Sequence, residues 1–153
     1  MAVISSDAVN VAHPMYSIYE AAKWALEGWC EALEIELAPF GLDVKIIQPG
    51  NHDTPFGSNV QPVLPEGSAY TSLTEIALPK MERLGRRARP AERGALEICA
   101  ALESDSSRLR VRIGNDDKVM ASRWAPYAVR RRIVERLTGI APSAPTSASQ
   151  PVA

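Results

Sequence analysis

Hydrophobic and polar positions along the first 50 residues predict a strand, a helix and a second strand. Residues 2–4 form a short apolar run that is typical of a strand. Apolar side chains then recur at helical spacing over residues 17–38, and Pro39 ends that helix. Residues 42–47 predict a second strand, which Pro49 and the following glycine terminate. Because a strand, a helix and a strand in this order form a βαβ unit, we predict a parallel sheet with a right-handed crossover.

The helix predicted over residues 17–38 is apolar around most of its circumference, and its carboxylates fall on one acidic stripe at helical spacing. The first apolar face consists of Leu26, Trp29, Cys30, Leu33 and Leu37. The second apolar face consists of Trp24, Ala25, Gly28, Ala32 and Ile35. The acidic stripe consists of Glu20, Glu27, Glu31 and Glu34. A helix of this kind requires two partners. We expect it to contact its own sheet and either a second helix layer or a second subunit.

The middle of the chain predicts a long loop, two helices and one more strand. Residues 51–68 are rich in proline, glycine, asparagine and serine, which is typical of an irregular loop that covers a binding site or simply faces solvent. Helices are predicted over residues 70–84 and from Pro90 onwards. The alternation from Arg108 to Ile113 predicts a strand with apolar residues on one side and arginines on a solvent-facing side.

The last part of the chain contains one more predicted helix and a low-complexity tail. The helix is predicted over residues 126–137, with the arginine run 130–132 in solvent rather than at a phosphate. Its inward-facing residues are expected to be Val129, Ile133 and Leu137. Residues 141–153 are rich in alanine, serine and proline and are predicted to be disordered. The predicted domain therefore comprises residues 1–140.

Composition narrows the class of protein. A chain of 153 residues with 46% hydrophobic and 23% charged residues fits one soluble globular domain. Its net charge of -1 gives no support to nucleic-acid or anionic-membrane binding. No apolar run approaches the roughly 20 residues of a membrane helix, and no signal-peptide pattern is present, so we expect a cytoplasmic protein. Cys30 and Cys99 are expected to be reduced core residues.

The strongest chemical feature is a phenol and an ammonium four residues apart, Tyr19 and Lys23. These positions share one helix face, so the cation can stabilise the ionised phenol, which with an ordinary pKa of about 10 is a poor base at neutral pH. The spacing alone proves little. However, Ser6 lies thirteen residues before Tyr19 at the carboxyl end of a predicted parallel strand, and Thr54 follows the end of the next one. Ligands of open α/β sheets bind at this edge.

Together these residues resemble the short-chain dehydrogenase/reductase family. The matching segments are Ile4-Ser5-Ser6, the Tyr19-x-x-x-Lys23 motif, residues 25–50 and residues 49–54. The resemblance covers residues 3–56 well. It extends more loosely to residues 89–105 and 109–116, which look like the last helix and last strand of the family.

The resemblance implies a Rossmann-type fold and hydride transfer between NAD(P) and a carbonyl or alcohol carbon of a small molecule. By position, Tyr19 would be the general acid/base. Lys23 would stabilise the phenolate and bind the nicotinamide ribose hydroxyls. Ser6 would hold the substrate oxygen through a hydrogen bond and stabilise the charge that develops there.

The same resemblance assigns the cofactor-binding residues at the nicotinamide end. They would be Tyr19, Lys23, Pro49, Gly50, the peptide groups of Asn51 and His52, and Thr54. The loop after Thr54 would cover the substrate. The preference between NAD and NADP is not encoded in these segments, because the residue that meets the ribose 2′ position lies in the other half of such a fold.

One departure from the family pattern is large. The glycine-rich turn that binds pyrophosphate after the first strand does not precede Ser6. We therefore expect an α/β fold that is a partial doubly wound parallel sheet, without the amino-terminal nucleotide-binding βαβ half. In one account the chain is a truncated oxidoreductase that is inactive alone. In another, a separate chain supplies the nucleotide-binding half. In the alternative it is a non-catalytic interaction module that forms homo-oligomers through helix 17–38.

Other assignments have less support. Tyr16 has no lysine four residues on, and Ser5 lies one residue too far from Tyr19 for the family spacing. His52 and its neighbour Asp53 could suggest a hydrolase triad with Ser6, but the G-x-S-x-G elbow is missing. The two histidines and the scattered carboxylates show no metal-ligand spacing, so no metal site is predicted.

Overall fold

The computed structural model describes residues 1–60, 63–85, 88–114 and 125–140. The regular elements within them are β1 (Ala2–Ile4), α1 (Ser17–Leu37), β2 (Lys45–Pro49), β3 (His52–Asp53), α2 (Phe56–Asn59), α3 (Thr71–Gly85), β4 (Arg89–Pro90), α4 (Ala91–Glu103), β5 (Arg110–Ile113) and α5 (Tyr127–Thr138). Short 3-10 turns occupy Asp7–Asn10 and Ala38–Phe40. The predicted helix 17–38 and strand 2–4 are confirmed almost to the residue.

The main sheet is parallel and has the strand order β1-β2-β5. Val3 lies opposite Ile46, and Ile47 lies opposite Val111. The central strand β2 is buried on both of its faces, as expected of a parallel strand covered by helices. The α/β class and the parallel βαβ unit predicted from the sequence are confirmed.

A second, very short parallel pair joins β3 to β4, with His52 opposite Arg89. This pair and helix α2 make residues 51–60 more regular than the irregular loop that the composition predicts. The ring of His52 packs directly on Gly94 in α4, where a Cβ would lie 2.5 Å from the ring Cδ2. Glycine is therefore required at this contact, which holds the start of α4 against β3.

Helix α1 faces the sheet with part of its first predicted apolar face, since Leu33 and Leu37 pack against the core beside Cys30. Cys30 packs with Val44 and Ile46 in the core, as expected. By contrast, Trp29 of the same face is 53% exposed. Trp24 and Ile35 are 46% and 72% exposed, so the second apolar face is largely uncovered among the described residues. The acidic stripe is partly buried, because Glu27 is only 1% exposed.

The buried carboxylate of Glu27 is satisfied by two strands. Its Oε1 accepts a hydrogen bond of 2.8 Å from Nε2 of Gln48 in β2, and its Oε2 accepts one of 2.6 Å from Nε of Arg110 in β5. Arg110 also pairs with Glu31. The prediction of a solvent-facing arginine side on this strand is therefore wrong for Arg110, because α1 covers that face of the sheet.

Other expectations near the carboxyl end are corrected. Cys99 is exposed rather than a core residue. Pro90 caps α4 from outside and pairs in β4, so it is not the first helical residue. Helix α5 has the predicted length, but the residues predicted inward, Val129, Ile133 and Leu137, are exposed. The predicted disordered tail 141–153 lies outside the described residues. No helix among the described residues is long and apolar enough to cross a membrane.

Candidate active site

The loop between β1 and α1 is held against the first turn of the helix. Ser6 caps the 3-10 turn of residues 7–10. Farther along, Oε1 of Glu20 accepts hydrogen bonds from the backbone N–H of His13 (2.7 Å) and pairs with its Nδ1 (2.8 Å). Since Glu20 lies in the first turn of α1, these contacts attach the loop to the helix one residue after Tyr19.

Tyr19 and Lys23 lie together at the carboxyl end of β1. Nζ of Lys23 is 5.7 Å from the centre of the Tyr19 ring. The same ammonium donates a 3.1 Å hydrogen bond to the carbonyl oxygen of Ile4, the last residue of β1. The predicted helical pair is thus connected to the strand edge that carries Ser6, two residues after Ile4.

The hydroxyl of Ser6 is buried and engaged in its own turn. Its Oγ accepts a 3.2 Å hydrogen bond from the N–H of Ala8 and donates a longer one of 3.4 Å to Oδ1 of Asp7. A bond of that length is weak and readily exchanged for a better acceptor. The neighbouring Ser5 is also buried, and its Oγ has no hydrogen-bond partner among the described residues.

Asp7 is a site residue that sequence reasoning missed. Burial raises the pKa of its carboxyl above the ordinary value of 3.8, while His13, the Ser6 hydroxyl, the N–H of Ala8 and His52 act in the opposite direction. An acidic residue directly after the strand-end serine was the available signal. It places a titratable group in contact with the hydroxyl that the family pattern assigns to the substrate.

The segment after β2 presents backbone rather than side chains to the edge of the sheet. The N–H of Gly50 donates to the carbonyl of Ile113 (2.8 Å), and the carbonyl of Asn51 accepts from the N–H of Arg89 (3.0 Å). Neighbouring residues of a strand direct their peptide groups to opposite sides. Because the carbonyl of Asn51 points to β4, the N–H and carbonyl of the next residue, His52, point away from β4. The His52 side chain is directed to Gly94 and pairs with the Gly50 carbonyl at 2.9 Å.

The loop after Thr54 returns to Tyr19. Oγ1 of Thr54 accepts a 3.4 Å hydrogen bond from the N–H of Phe56 at the start of α2. The Phe56 ring lies 5.9 Å from the Tyr19 ring, centre to centre, and 58% of Phe56 is exposed. An apolar wall therefore stands beside the phenol, in the position where the resemblance expects a substrate-covering segment.

These residues fit one end of a dinucleotide. A phenol, an ammonium and the peptide groups of His52 that point away from β4 suit a nicotinamide ribose and its carboxamide. Within residues 1–60, 63–85, 88–114 and 125–140, no glycine-rich turn joins a strand to a helix in a way that would hold pyrophosphate. In the same residues, no group of three or more histidine, cysteine or acidic side chains could hold a metal ion.

Comparison with known proteins points in one direction. Residues 1–63 match the family model described as short chain dehydrogenase. The chain is 32% identical to the uncharacterized oxidoreductase YusZ of Bacillus subtilis over 121 residues, which is 76% of this chain and 43% of that protein. It is 29% identical to a 3-ketodihydrosphingosine reductase of Bacteroides thetaiotaomicron over 128 residues, or 76% of this chain and 47% of the relative.

A solved structure agrees with these relatives. A short-chain dehydrogenase from Streptomyces avermitilis superposes with a TM-score of 0.64 at 27% identity, covering 88% of this chain and 48% of that structure. The chain thus spans about half the length of the proteins that it matches. The predicted resemblance and the partial Rossmann-type fold are confirmed.

Proposed function

Because the chain belongs to the short-chain dehydrogenase/reductase family of oxidoreductases, we propose that it carries the catalytic residues and the nicotinamide end of an NAD(P)-dependent enzyme. The substrate would be an alcohol or a carbonyl compound. The observation that carries the proposal is the position of Lys23, whose ammonium faces the Tyr19 ring and bonds to the end of β1 at once.

The bound nicotinamide would supply a hydride to the carbonyl carbon, or accept one from the alcohol carbon. In the reductive direction, the Tyr19 hydroxyl donates its proton to the substrate oxygen. Lys23 stabilises the phenolate that this transfer leaves, since an adjacent cation favours the charged form. It also donates hydrogen bonds to the ribose hydroxyls of the cofactor.

Ser6 orients the substrate oxygen in this scheme. Its hydroxyl exchanges the 3.4 Å bond to Asp7 for a shorter bond to the substrate, where charge develops. The exchange leaves the Ser6 cap on Ala8 in place, so the 3-10 turn does not have to move. The Phe56 ring shields the phenol from water on the side of the loop.

A matched pair of phenols tests the roles. Tyr16 and Tyr19 lie on the same helix start with their rings 6.2 Å apart, so Tyr16→Phe is a control for Tyr19→Phe. In an active, longer polypeptide that contains this chain, Tyr19→Phe should nearly abolish turnover while reduced cofactor still binds. Tyr16→Phe should keep most of it. Equal turnover in the two variants would refute the assignment of Tyr19.

Cofactor binding can be measured on the 153-residue chain itself by fluorescence titration. Because the described residues offer a site for the nicotinamide ribose and none for pyrophosphate, reduced nicotinamide mononucleotide and NADH should bind with similar, weak affinity. Lys23→Met should weaken both by about tenfold, the loss of one charge-assisted hydrogen bond. An affinity for NADH that is the same in the Lys23→Met variant would contradict the proposed role of Lys23 in cofactor binding.

The exposed face of α1 favours a second candidate, a non-catalytic module that forms homo-oligomers through this helix. Trp24, Trp29 and Ile35 together present a large apolar surface among the described residues. If this is the function, the purified chain should sediment as an oligomer, Trp29→Glu should convert it to monomers, and no nicotinamide nucleotide should bind. A monomer that binds the nucleotide would exclude it.

A further inference from the structure

A cleft lies between the loop that precedes α1 and helix α5. Its volume is about 430 Å³, within the range of roughly 300–1,000 Å³ that small-molecule sites occupy. Apolar walls come from Ala12 and Pro14 on the loop and from Val134 and Ile140 at the other side. Its described lining includes none of Ser6, Tyr19 and Lys23, although it does include His13 and Glu20, whose pairing attaches the loop to α1.

Two of the charged residues in the cleft are already paired. Glu20 accepts both hydrogen bonds from His13, and its side chain is only 14% exposed. Glu135 holds Arg131 at 2.7 Å, one helical turn away. These carboxylates therefore have donors of their own.

Arg130 differs from its neighbours. It lines the cleft with its guanidinium carbon 5.9 Å from the centre of the Tyr127 ring. Its Nε is buried and has no hydrogen-bond partner within the part of the chain that the structure describes. Among the described residues, no carboxylate forms an ion pair with it. An unsatisfied buried N–H is costly, and a guanidinium is satisfied best by a planar oxygen pair.

We propose that this cleft binds a small amphipathic monocarboxylate, with its carboxylate on Arg130 and its hydrocarbon chain against the apolar walls. A single uncompensated cation matches a singly charged carboxylate better than a phosphate dianion, which favours several cations. The site uses neither Tyr19 nor Lys23, so it is independent of the oxidoreductase chemistry.

Calorimetric titration of the 153-residue chain with octanoate tests the site, with 1-octanol and octylamine as probes of equal chain length. Octanoate should bind at least tenfold more tightly than either. Arg130→Leu should weaken octanoate binding by about tenfold or more, the loss of a charge-assisted hydrogen bond. Arg132→Leu removes the same charge from an exposed position of α5 outside the cleft and should change the affinity by less than about twofold.

Two further variants keep the test decisive. Arg130→Lys preserves the charge and should retain more affinity than Arg130→Leu. If circular dichroism shows that Arg130→Leu does not fold, Val134→Glu places a carboxylate four residues from Arg130, where it should occupy the guanidinium and abolish binding. Equal affinity for octanoate and 1-octanol, or equal losses in the Arg130→Leu and Arg132→Leu variants, would overturn the proposal. Unchanged octanoate binding in Tyr19→Phe separates this site from the proposed function.

Discussion

Replacing Arg110 with methionine should destabilise the fold strongly, because it leaves Glu27 buried without its cation. Glu27 is 1% exposed and, of its two side-chain partners among the described residues, would keep Gln48 alone. Methionine preserves much of the apolar stem of the arginine, so lost packing contributes little. The variant therefore isolates the electrostatic role of the ion pair between α1 and β5.

The magnitude follows from the burial of the two partners. Removing one partner of a buried ion pair costs about 3–5 kcal/mol, because the remaining charge stays desolvated. The Arg110 side chain is 29% exposed and Glu27 retains Gln48, so we expect the lower end, about 3 kcal/mol. The outer pair of Arg110 with Glu31, which is 54% exposed, should contribute less than about 1 kcal/mol.

Urea denaturation followed by tryptophan fluorescence gives these free energies of unfolding. A double-mutant cycle of Glu27→Met and Arg110→Met is the informative design, with Glu31→Ala as the exposed control. The double variant should be more stable than either single variant, because no uncompensated charge remains inside. The reasoning is wrong if the two single losses add in the double variant, or if Arg110→Met costs no more than Glu31→Ala.

Three other predictions concern single positions. Asp7→Asn should stabilise the fold at neutral pH, because burial raises the pKa of Asp7 in the folded state and the ionised carboxyl is therefore destabilising there. The gain in stability should fade as the pH drops towards 3.8, where the carboxyl is protonated in both states. Urea titrations at several pH values measure this dependence. Gly94→Ala should cost about 1–3 kcal/mol in thermal unfolding, because the new Cβ meets the His52 ring, whereas Gly28→Ala meets nothing within 4 Å and should stabilise α1. Phe56→Ala should raise KM more than it lowers kcat in a turnover assay, because it removes a wall and no reacting group.

The sequence predicted local features better than distant ones. Helix α1, strand β1 and the Tyr19–Lys23 pair depend on spacing of four residues or fewer, and all three are found. The bond from Lys23 to Ile4 joins residues 19 apart, so it becomes visible only when the helix lies on the sheet. Asp7 was missed for the same reason, since its raised pKa depends on burial rather than on a motif.

Errors in the predicted faces have a common physical cause. A glutamate in a helix is normally assigned to solvent, but Glu27 is buried because Arg110 and Gln48 arrive from two strands far along the chain. The inward-facing side of helix α5 was predicted wrongly because aliphatic residues were expected to be buried in preference to arginine. The structure instead directs Arg130 and Val134 into the cleft.

The buried ion pair also determines where the reactive residues point. Tyr19, Lys23 and Glu27 follow one another at intervals of four, so they lie on one stripe of α1. Anchoring Glu27 to β2 and β5 fixes the rotation of the helix about its axis, and Lys23 must then meet the end of β1. The same rotation directs Trp24 and Trp29 away from the sheet, which explains their exposure. Lys23 and Glu27 thus face the sheet beside the apolar contact of Cys30, in the orientation that brings Tyr19 to the end of β1 that precedes Ser6.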